Sequence, residues 1–132
     1  MVFADTSFWI ALGQSRDGRH HDAQMLWRKQ IRGVVTSNHV RGEAWTFINR
    51  RYGHQQAVQF LDVLERSARV EVVSTPPEIE LDAIRWLRAR NEREYSFVDA
   101  TSFALMRWLD IQEALAFDGD FSAAGFVELR VS

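Results

Sequence analysis

Short hydrophobic runs alternate along the chain with segments in which hydrophobic residues recur every three or four positions. The short runs predict five strands, at Val2–Ala4, Gly33–Thr36, Val70–Ser74, Glu113–Phe117 and Phe126–Val131. The other segments predict six main helices, at about Thr6–Leu12, Arg19–Ile31, Asn38–Arg51, Gln55–Ser67, Pro77–Asn91 and Val98–Leu109. Strands that alternate with helices are typical of an α/β fold, so we predict a mainly parallel sheet flanked by helices.

Three aspartates lie where ligand sites form in such folds. Asp5 follows the first predicted strand, Asp118 follows the fourth, and Asp99 lies in the first turn of the helix leading to the fourth strand. Ligands bind outside the carboxyl ends of the strands in open α/β sheets, so these carboxylates meet if the first and fourth strands are neighbours. Purely structural explanations also exist, since Asp5 can cap the following helix and Asp99 can form a capping box with Ser96.

A fourth acidic residue, Glu43, belongs by its spacing to an apolar stripe of the third predicted helix, with Val40, Ala44, Phe47 and Ile48. We therefore expect its carboxylate to be buried. A buried carboxylate is costly unless it is paired or binds a metal ion. The pattern leaves two alternatives: membership of a functional site, or an internal salt bridge with a nearby arginine.

Taken together, these four acidic residues predict a divalent-metal site. Crowded carboxylates repel one another unless a cation compensates, and Mg²⁺ or Mn²⁺ prefers oxygen ligands of this kind. The chain has no cysteine, so a metal ion must be held by oxygen or imidazole. Such a site can activate water for attack on a phosphodiester. Thr6 and Ser7, next to the first aspartate, can bond the acidic cluster or a phosphate.

Composition restricts the setting of this chemistry. At 132 residues, 46% of them hydrophobic, the chain has the size of one domain, which we expect to span residues 1–132. No stretch approaches the roughly 18 consecutive apolar residues of a membrane span, and no secretory signal is recognisable at the N-terminus. We therefore expect a cytoplasmic protein that does not enter membranes.

The charge balance bears on a nucleic-acid partner. The chain has 18 acidic residues against 16 lysines and arginines, which at first argues against nucleic acid. If four acids belong to a metal site, however, bases exceed acids in the rest of the chain. Basic residues are concentrated at Arg50 and Arg51 and between Arg85 and Arg93. The sequence leaves two interpretations of these residues open: they form a solvated helix face, or they contact phosphates.

Four sequence blocks resemble those of a known family. They are FADTSFWIAL, TSNHVRGEAWTFINRRYG, SFVDATSFALMRWLDI and EALAFDGDF, in this order. The chain resembles the PIN-domain nucleases over essentially its whole length, and most closely the VapC-type toxins of toxin–antitoxin pairs. The resemblance implies a single PIN-like domain with a five-stranded sheet in the order 3-2-1-4-5 and metal-dependent endoribonuclease activity. By position, the family's acidic quartet corresponds to Asp5, Glu43, Asp99 and Asp118.

The resemblance also implies partners and cofactors. The cofactor would be Mg²⁺ or Mn²⁺, the substrate transfer RNA or ribosomal RNA, and the partner a VapB-like antitoxin, with the toxin itself a homodimer. On this interpretation Arg41, Arg50 and Arg51 are candidates to position the RNA backbone. Two alternatives stay open: a non-catalytic PIN-fold module that binds RNA or protein, and a housekeeping PIN ribonuclease that acts in RNA maturation.

The segment LAFDGDF, Leu115–Phe121, contains two aspartates and requires a choice between them. An Asp-Gly pair after alternating apolar residues is typical of a hairpin, but the following FSAAGF does not alternate as a returning strand should. We predict instead a sharp turn at Gly119 and a short helix before the last strand. The family pattern of an acid followed by an aromatic residue selects Asp118, and leaves Asp120 as a supporting, solvent-facing or capping neighbour.

Overall fold

A five-stranded parallel sheet forms the centre of the fold. The computed structural model describes residues 1–131, and its strands are β1 Val2–Ala4, β2 Val34–Ser37, β3 Val70–Val73, β4 Glu113–Leu115 and β5 Val127–Glu128. They are ordered β3-β2-β1-β4-β5, and every neighbouring pair is parallel. This confirms the predicted fold class and sheet order. Because β1 lies beside β4, the residues that follow these two strands lie at the same edge of the sheet.

Seven helices of the described chain surround the sheet: α1 Thr6–Gly13, α2 His20–Lys29, α3 Asn38–Tyr52, α4 His54–Arg66, α5 Pro77–Arg88, α6 Phe97–Trp108 and α7 Asp120–Ala123. All six main predicted helices are present, and α7 is the short helix predicted after the turn. The prediction for α2 was too long, since the chain becomes extended at Gln30 and Ile31 is 92% exposed. Within residues 1–131, no helix is both long and apolar enough to cross a bilayer.

The central strands are buried on both faces. Every residue of β1 and β2 is buried, as expected for parallel strands covered by helices on both sides. The polar groups among them are paired: the Trp9 indole donates to Thr36 Oγ1 at 3.2 Å, and this hydroxyl donates to the Ala4 carbonyl at 2.8 Å. The carboxyl end of β1 is therefore held rigidly before the chain reaches Asp5.

An aromatic cluster positions the segment after β4. The Phe121 ring is fully buried, 4.9 Å from that of Phe103 on α6 and 6.2 Å from that of Phe3 on β1. Phe103 also contacts Trp86 and Phe126, with ring centroids 5.3 and 5.6 Å away. The aromatic residue of the DGDF segment thus anchors the turn that carries its two aspartates against the core.

Candidate metal centre

Asp5 is the most deeply buried of the candidate acids. It is the N-cap of α1, and its Oδ2 accepts hydrogen bonds from the Ser7 hydroxyl at 2.9 Å and the Ser7 amide at 3.3 Å. Its own amide donates to the Leu115 carbonyl at 3.0 Å, while the Phe117 amide donates to the Ser7 hydroxyl at 3.0 Å. Asp5 thus both caps the helix and faces the end of β4, so the two interpretations of its sequence position are compatible.

The surroundings of Asp5 disfavour its charge. Burial, together with the neighbouring charges of Asp118 and Asp99, raises the pKa of Asp5 to about 8, against the lowering effect of the Ser7 hydrogen bonds. A carboxyl group with such a pKa is largely protonated at neutral pH in the absence of a cation. Its two carboxylate neighbours show that the ends of β1 and β4 and the start of α6 converge here.

Asp99 approaches the same point from the first turn of α6. It forms the predicted capping box with Ser96, whose hydroxyl accepts from the Asp99 amide at 2.9 Å while Asp99 Oδ2 accepts from the Ser96 amide at 3.1 Å. The side chain is buried, and burial raises its pKa to about 7, with further contributions from Asp120 and Asp118. The capping role therefore leaves the carboxylate within the electrostatic field of the other acids.

Asp118 and Asp120 lie on a tight turn between β4 and α7. Gly119 has a φ of +83°, a conformation that favours glycine, and the turn brings the Asp120 amide to 3.1 Å from Asp118 Oδ1. Partial desolvation raises the pKa of Asp118, as do the charges of Asp120 and Glu128. Asp120, predicted to be a solvent-facing or capping neighbour, is the first residue of α7, and its side chain is 18% exposed.

The three aspartates of α6 and the turn form a compact set of oxygen donors. One carboxylate oxygen each from Asp99, Asp118 and Asp120 lies within 4.8 Å of the other two. Asp5 and Glu43 are outside this trio. Nearby, the buried Thr6 hydroxyl has no hydrogen-bond partner within residues 1–131. Hard oxygen donors at this spacing fit a divalent cation such as Mg²⁺ or Mn²⁺, and the raised pKa values of Asp99 and Asp118 show that two of them lack a compensating positive charge.

Glu43 does not occupy the buried position that its spacing predicted. The buried stripe of α3 is narrower than expected and consists of Val40, Ala44 and Ile48, while Glu43 and Phe47 are exposed. Within the described part of the chain, Glu43 forms no ion pair, so the alternative of an internal salt bridge is also wrong. A spacing of three or four positions fits both the buried stripe and its flank, which is why the pattern failed here.

Glu43 instead borders an open cavity beside the aspartates. The cavity has a volume of about 710 Å³, and Val98, which precedes Asp99, forms part of its wall. Its other lining residues are His39, Gly42, Glu43, Thr46, Phe47, Arg50 and Arg51. Glu43 therefore lines a cavity that reaches the residue next to Asp99, together with two of the arginines that the sequence suggested for RNA positioning.

The same fold occurs in known proteins. Residues 2–127 match the family model of the PIN domain. The chain belongs to the PIN-domain family. It is 56% identical over 131 residues to the 23S rRNA-specific endonuclease VapC20 from two strains of Mycobacterium tuberculosis, covering 98% of both chains.

Solved structures agree with this assignment. The crystal structure of Mycobacterium tuberculosis VapC20, described as a sarcin–ricin loop cleaving toxin, superposes on this PIN domain with a TM-score of 0.95. Identity to that chain is 54%, with 99% of this chain and 100% of the other covered. FitAcB from Neisseria gonorrhoeae shares the fold, with a TM-score of 0.66 at 13% identity over 98% and 96% of the two chains.

The remaining predicted residues of the PIN domain lie around the acids in different ways. Ser7 and Ser96 contact Asp5 and Asp99 directly, as the local sequence suggested. Arg50 and Arg51 line the cavity beside Glu43. Arg41 is exposed on the same helix but is not among the residues that line that cavity.

Sequence reasoning missed one basic residue at the site. Arg93, in the loop between α5 and α6, donates from Nε to Asp120 at 2.6 Å and from Nη2 to the Asp118 carbonyl at 3.3 Å. A Cβ atom on Gly119 would approach its guanidinium to 3.3 Å. Arg93 thus holds the turn that carries Asp118 and Asp120 in place and neutralises part of the negative charge of the two aspartates. Only its membership of a basic run drew attention to it, because its partner lies far away in the sequence.

Glu128 on β5 is a second residue that was missed. Its side chain is almost completely buried and accepts hydrogen bonds from the amides of Gly119 at 3.3 Å and Ser122 at 3.0 Å. Arg130 compensates its charge with a 2.7 Å ion pair. An acidic residue in the centre of the predicted strand FVELRV was the available signal. Glu128 holds the turn and the start of α7 in position.

Proposed function

We propose that this protein is a divalent-metal-dependent endoribonuclease and the toxin of a VapC-type toxin–antitoxin pair. One observation carries the proposal: three aspartates from α6 and the β4–α7 turn converge beside the buried Asp5, in a chain similar over nearly its whole length to a 23S rRNA-specific endonuclease. A family member with a damaged site would be expected to lack one or more of these acids.

Each acid has a distinct part in the proposed mechanism. Asp99 and Asp118 would hold the cation, and Asp120, whose carboxylate accepts from Arg93, would be the third oxygen donor. A bound Mg²⁺ or Mn²⁺ would supply positive charge to the phosphate oxygens and lower the pKa of a water molecule. Asp5, whose Oδ2 accepts from Ser7, would release its proton to solvent once a cation compensates the other carboxylates, and would then add a negative charge beside them. Glu43 acts at the open side of the site, where substrate enters.

The proposed substrate is ribosomal RNA with the sarcin–ricin loop as target. Support comes from the descriptions of the similar Mycobacterium tuberculosis proteins and from the positions of two arginines. Arg50 and Arg51 are exposed on α3 at the wall of the cavity that contains Glu43. Guanidinium groups there can contact the phosphates of a strand whose cleaved bond lies at the aspartates. Arg41, exposed near the start of the same helix, is a weaker candidate, because it does not line that cavity.

Partners follow from the same family. We propose a VapB-like antitoxin that blocks the acidic site, a homodimeric toxin, and action in the cytoplasm. The exposed hydrophobic residues Leu81 and Ile84 on α5 are candidates for contact with another chain. Sedimentation of the purified protein, alone and with an antitoxin encoded beside it, tests the stoichiometry.

The decisive experiment is a cleavage assay with defined RNA. Purified protein is incubated with a sarcin–ricin loop hairpin and Mn²⁺, with and without chelator, beside the Asp99→Asn variant. An asparagine oxygen at position 99 can still accept from the Ser96 amide, so the variant should fold and lose cleavage. We expect Mn²⁺-dependent cuts by the native protein only. Equal cleavage by both proteins would refute the assignment, and binding without cleavage would favour the non-catalytic module.

Growth of a bacterial host separates a toxin from a housekeeping ribonuclease. Induction of the native protein should arrest growth, and induction of Asp99→Asn at the same level should not. Normal growth in the presence of folded, active native protein would favour a role in RNA maturation.

A further inference from the structure

A second cavity opens next to the aspartates. It has a volume of about 260 Å³, and its lining includes Ser7 and Asp118, which both belong to the acidic site. The remaining wall consists of two aromatic rings, one aliphatic side chain and two opposite charges: Phe47, Phe117, Ile10, Arg19 and Asp17. Because two of its walls are site residues, a strand bound at the aspartates must pass the mouth of this cavity.

Phe47 separates this cavity from the larger one beside Glu43, since it lines both. Its side chain points away from the buried stripe of α3 and is 42% exposed. An exposed aromatic ring contributes little to folding, because burial of its apolar surface is the source of its stabilising effect. Phe47 therefore offers an exposed ring surface to both cavities.

Phe117 forms the opposite aromatic wall. Its ring packs against Phe8, with centroids 6.3 Å apart, and the guanidinium carbons of Arg19 and Arg130 each lie 5.4 Å from its centroid. Arg130 also donates to the Ala116 carbonyl at 2.7 Å, which fixes it behind the turn. The Phe117 ring is thus held in place, and Arg19 adds a planar cation at the edge of the cavity.

We propose that this cavity binds one nucleobase of the RNA strand, next to the nucleotide whose phosphate lies at the aspartates, with Phe47 as the stacking surface. This inference rests on the proposed ribonuclease function. At about 260 Å³ the cavity is smaller than the ~300–1,000 Å³ typical of pockets for drug-sized ligands, which suits a single ring system. RNA-binding proteins commonly recognise bases that are splayed out of loops and stacked on aromatic rings or arginine planes.

The two aromatic rings of the cavity favour a base over a peptide segment, whereas the charges of its lining are mixed, since Arg19 is accompanied by Asp17 and Asp118. A base brings a flat, uncharged surface to the two rings, and its adjoining phosphates can contact Arg19. A basic peptide side chain would be drawn to Asp17 and Asp118 and would not need the rings, so it is the alternative occupant that the test must distinguish. A base site at this position would make cleavage depend on the nucleotide beside the cut, in addition to the phosphate contacts.

Single abasic substitutions provide the test. The substrate is the sarcin–ricin loop hairpin, intact or with one stable abasic residue at each position around the cleaved bond, and kcat/KM is measured with Mn²⁺. The variants are Phe47→Leu, which keeps apolar volume without a ring, and Phe47→Trp, which keeps a ring. Trp108→Leu, which removes an exposed aromatic at the far end of α6, is the matched control.

We expect one abasic position to lower kcat/KM of the native protein about tenfold, the effect of losing one base–aromatic stack. Phe47→Leu should lower cleavage of intact RNA by a similar factor and be insensitive to that abasic position. Phe47→Trp and Trp108→Leu should behave like the native protein. An abasic profile that is the same in native protein and Phe47→Leu would overturn the base site.

The two proposals fail in different ways. If the native protein does not cut intact RNA with Mn²⁺, the ribonuclease function fails and the base site with it. If it cuts, but Phe47→Leu affects only binding of a co-expressed antitoxin, the cavity serves the protein partner and the base site alone is refuted. Quenching of 2-aminopurine at the critical position, measured with Asp99→Asn, reports stacking independently of cleavage and should be lost when Phe47→Leu is added.

Discussion

Replacing Asp5 by asparagine isolates the energetic cost of a buried charge in the acidic site. Burial, followed by the charges of Asp118 and Asp99, raises the pKa of Asp5 to about 8, against about 4 in an unfolded chain. The native protein therefore binds a proton that the unfolded chain has released, and its free energy of unfolding falls as the pH rises from about 4 to about 8. At about 1.4 kcal/mol for each pKa unit, Asp5 alone accounts for a loss of about 4 kcal/mol between pH 5 and pH 8.

The measurement is urea denaturation at pH 5, 6, 7 and 8 in chelator, followed by the fluorescence of the five tryptophans. The asparagine side chain of the Asp5→Asn variant keeps an oxygen that can accept from Ser7 but does not ionise. The variant should therefore lose about 4 kcal/mol less stability over this range than the native protein. Added Mn²⁺ should reduce the difference, because a bound cation favours the ionised carboxylate.

Asp110→Asn is the control for this experiment. Asp110 is exposed at the opposite end of α6 from Asp99, and its φ of +56° is one that asparagine tolerates. The control should follow the pH dependence of the native protein. If the stability difference between the native protein and Asp5→Asn stays constant within about 1 kcal/mol from pH 5 to pH 8, the reasoning about burial and crowding is refuted.

Three further predictions concern the turn after β4. Asp118→Asn should lower Mn²⁺ affinity and single-turnover RNA cleavage by at least about tenfold, and more than Asp120→Asn does, because Arg93 already neutralises Asp120; equal losses would contradict this ranking. Arg93→Gln should tighten Mn²⁺ binding about tenfold in calorimetry, because the acidic residues lose a neighbouring positive charge. Weaker binding would mean that the contacts of Arg93 are needed to hold the aspartates in position. Glu128→Gln should cost about 2–3 kcal/mol in urea denaturation, because the buried carboxylate accepts from the amides of Gly119 and Ser122 and pairs with the partly exposed Arg130, whereas Glu113→Gln, in an exposed pair, should cost about 1 kcal/mol or less; similar costs would argue against the buried role.

The fold was largely predictable because local patterns define its elements. The strands β1 and β2 are short hydrophobic runs, which are followed by Asp5 and Asn38. Both ends of each strand in the structure lie within one residue of the predicted ends. The last strand was predicted too long, at Phe126–Val131, because periodicity does not reveal how many residues find a partner. Only Val127 and Glu128 pair with β4 within the described residues.

The candidate site was predictable in part. The positions of Asp5, Asp99 and Asp118 at strand ends and in a first helical turn suggested that they meet, and they influence one another's pKa. The burial of Glu43 was predicted wrongly, because a helical pattern does not define which of two adjoining stripes faces the core. The sequence pattern assigned Asp120 only a supporting part in the site, because its proximity to Asp99 depends on the geometry of the turn.

The sequence by itself determined the elements, their order and their local caps, because these depend on side chains a few positions apart. Ser96 and Asp99 form a capping box and are only three positions apart. Gly119 can adopt the positive φ that its turn requires without help from distant residues. The tertiary structure alone decided which charges meet. The contacts of Arg93 with Asp120 and of Ser7 with Phe117 join residues 27 and 110 positions apart, and pKa values respond to such distances and to burial. Electrostatics at the site is therefore a property of the folded chain.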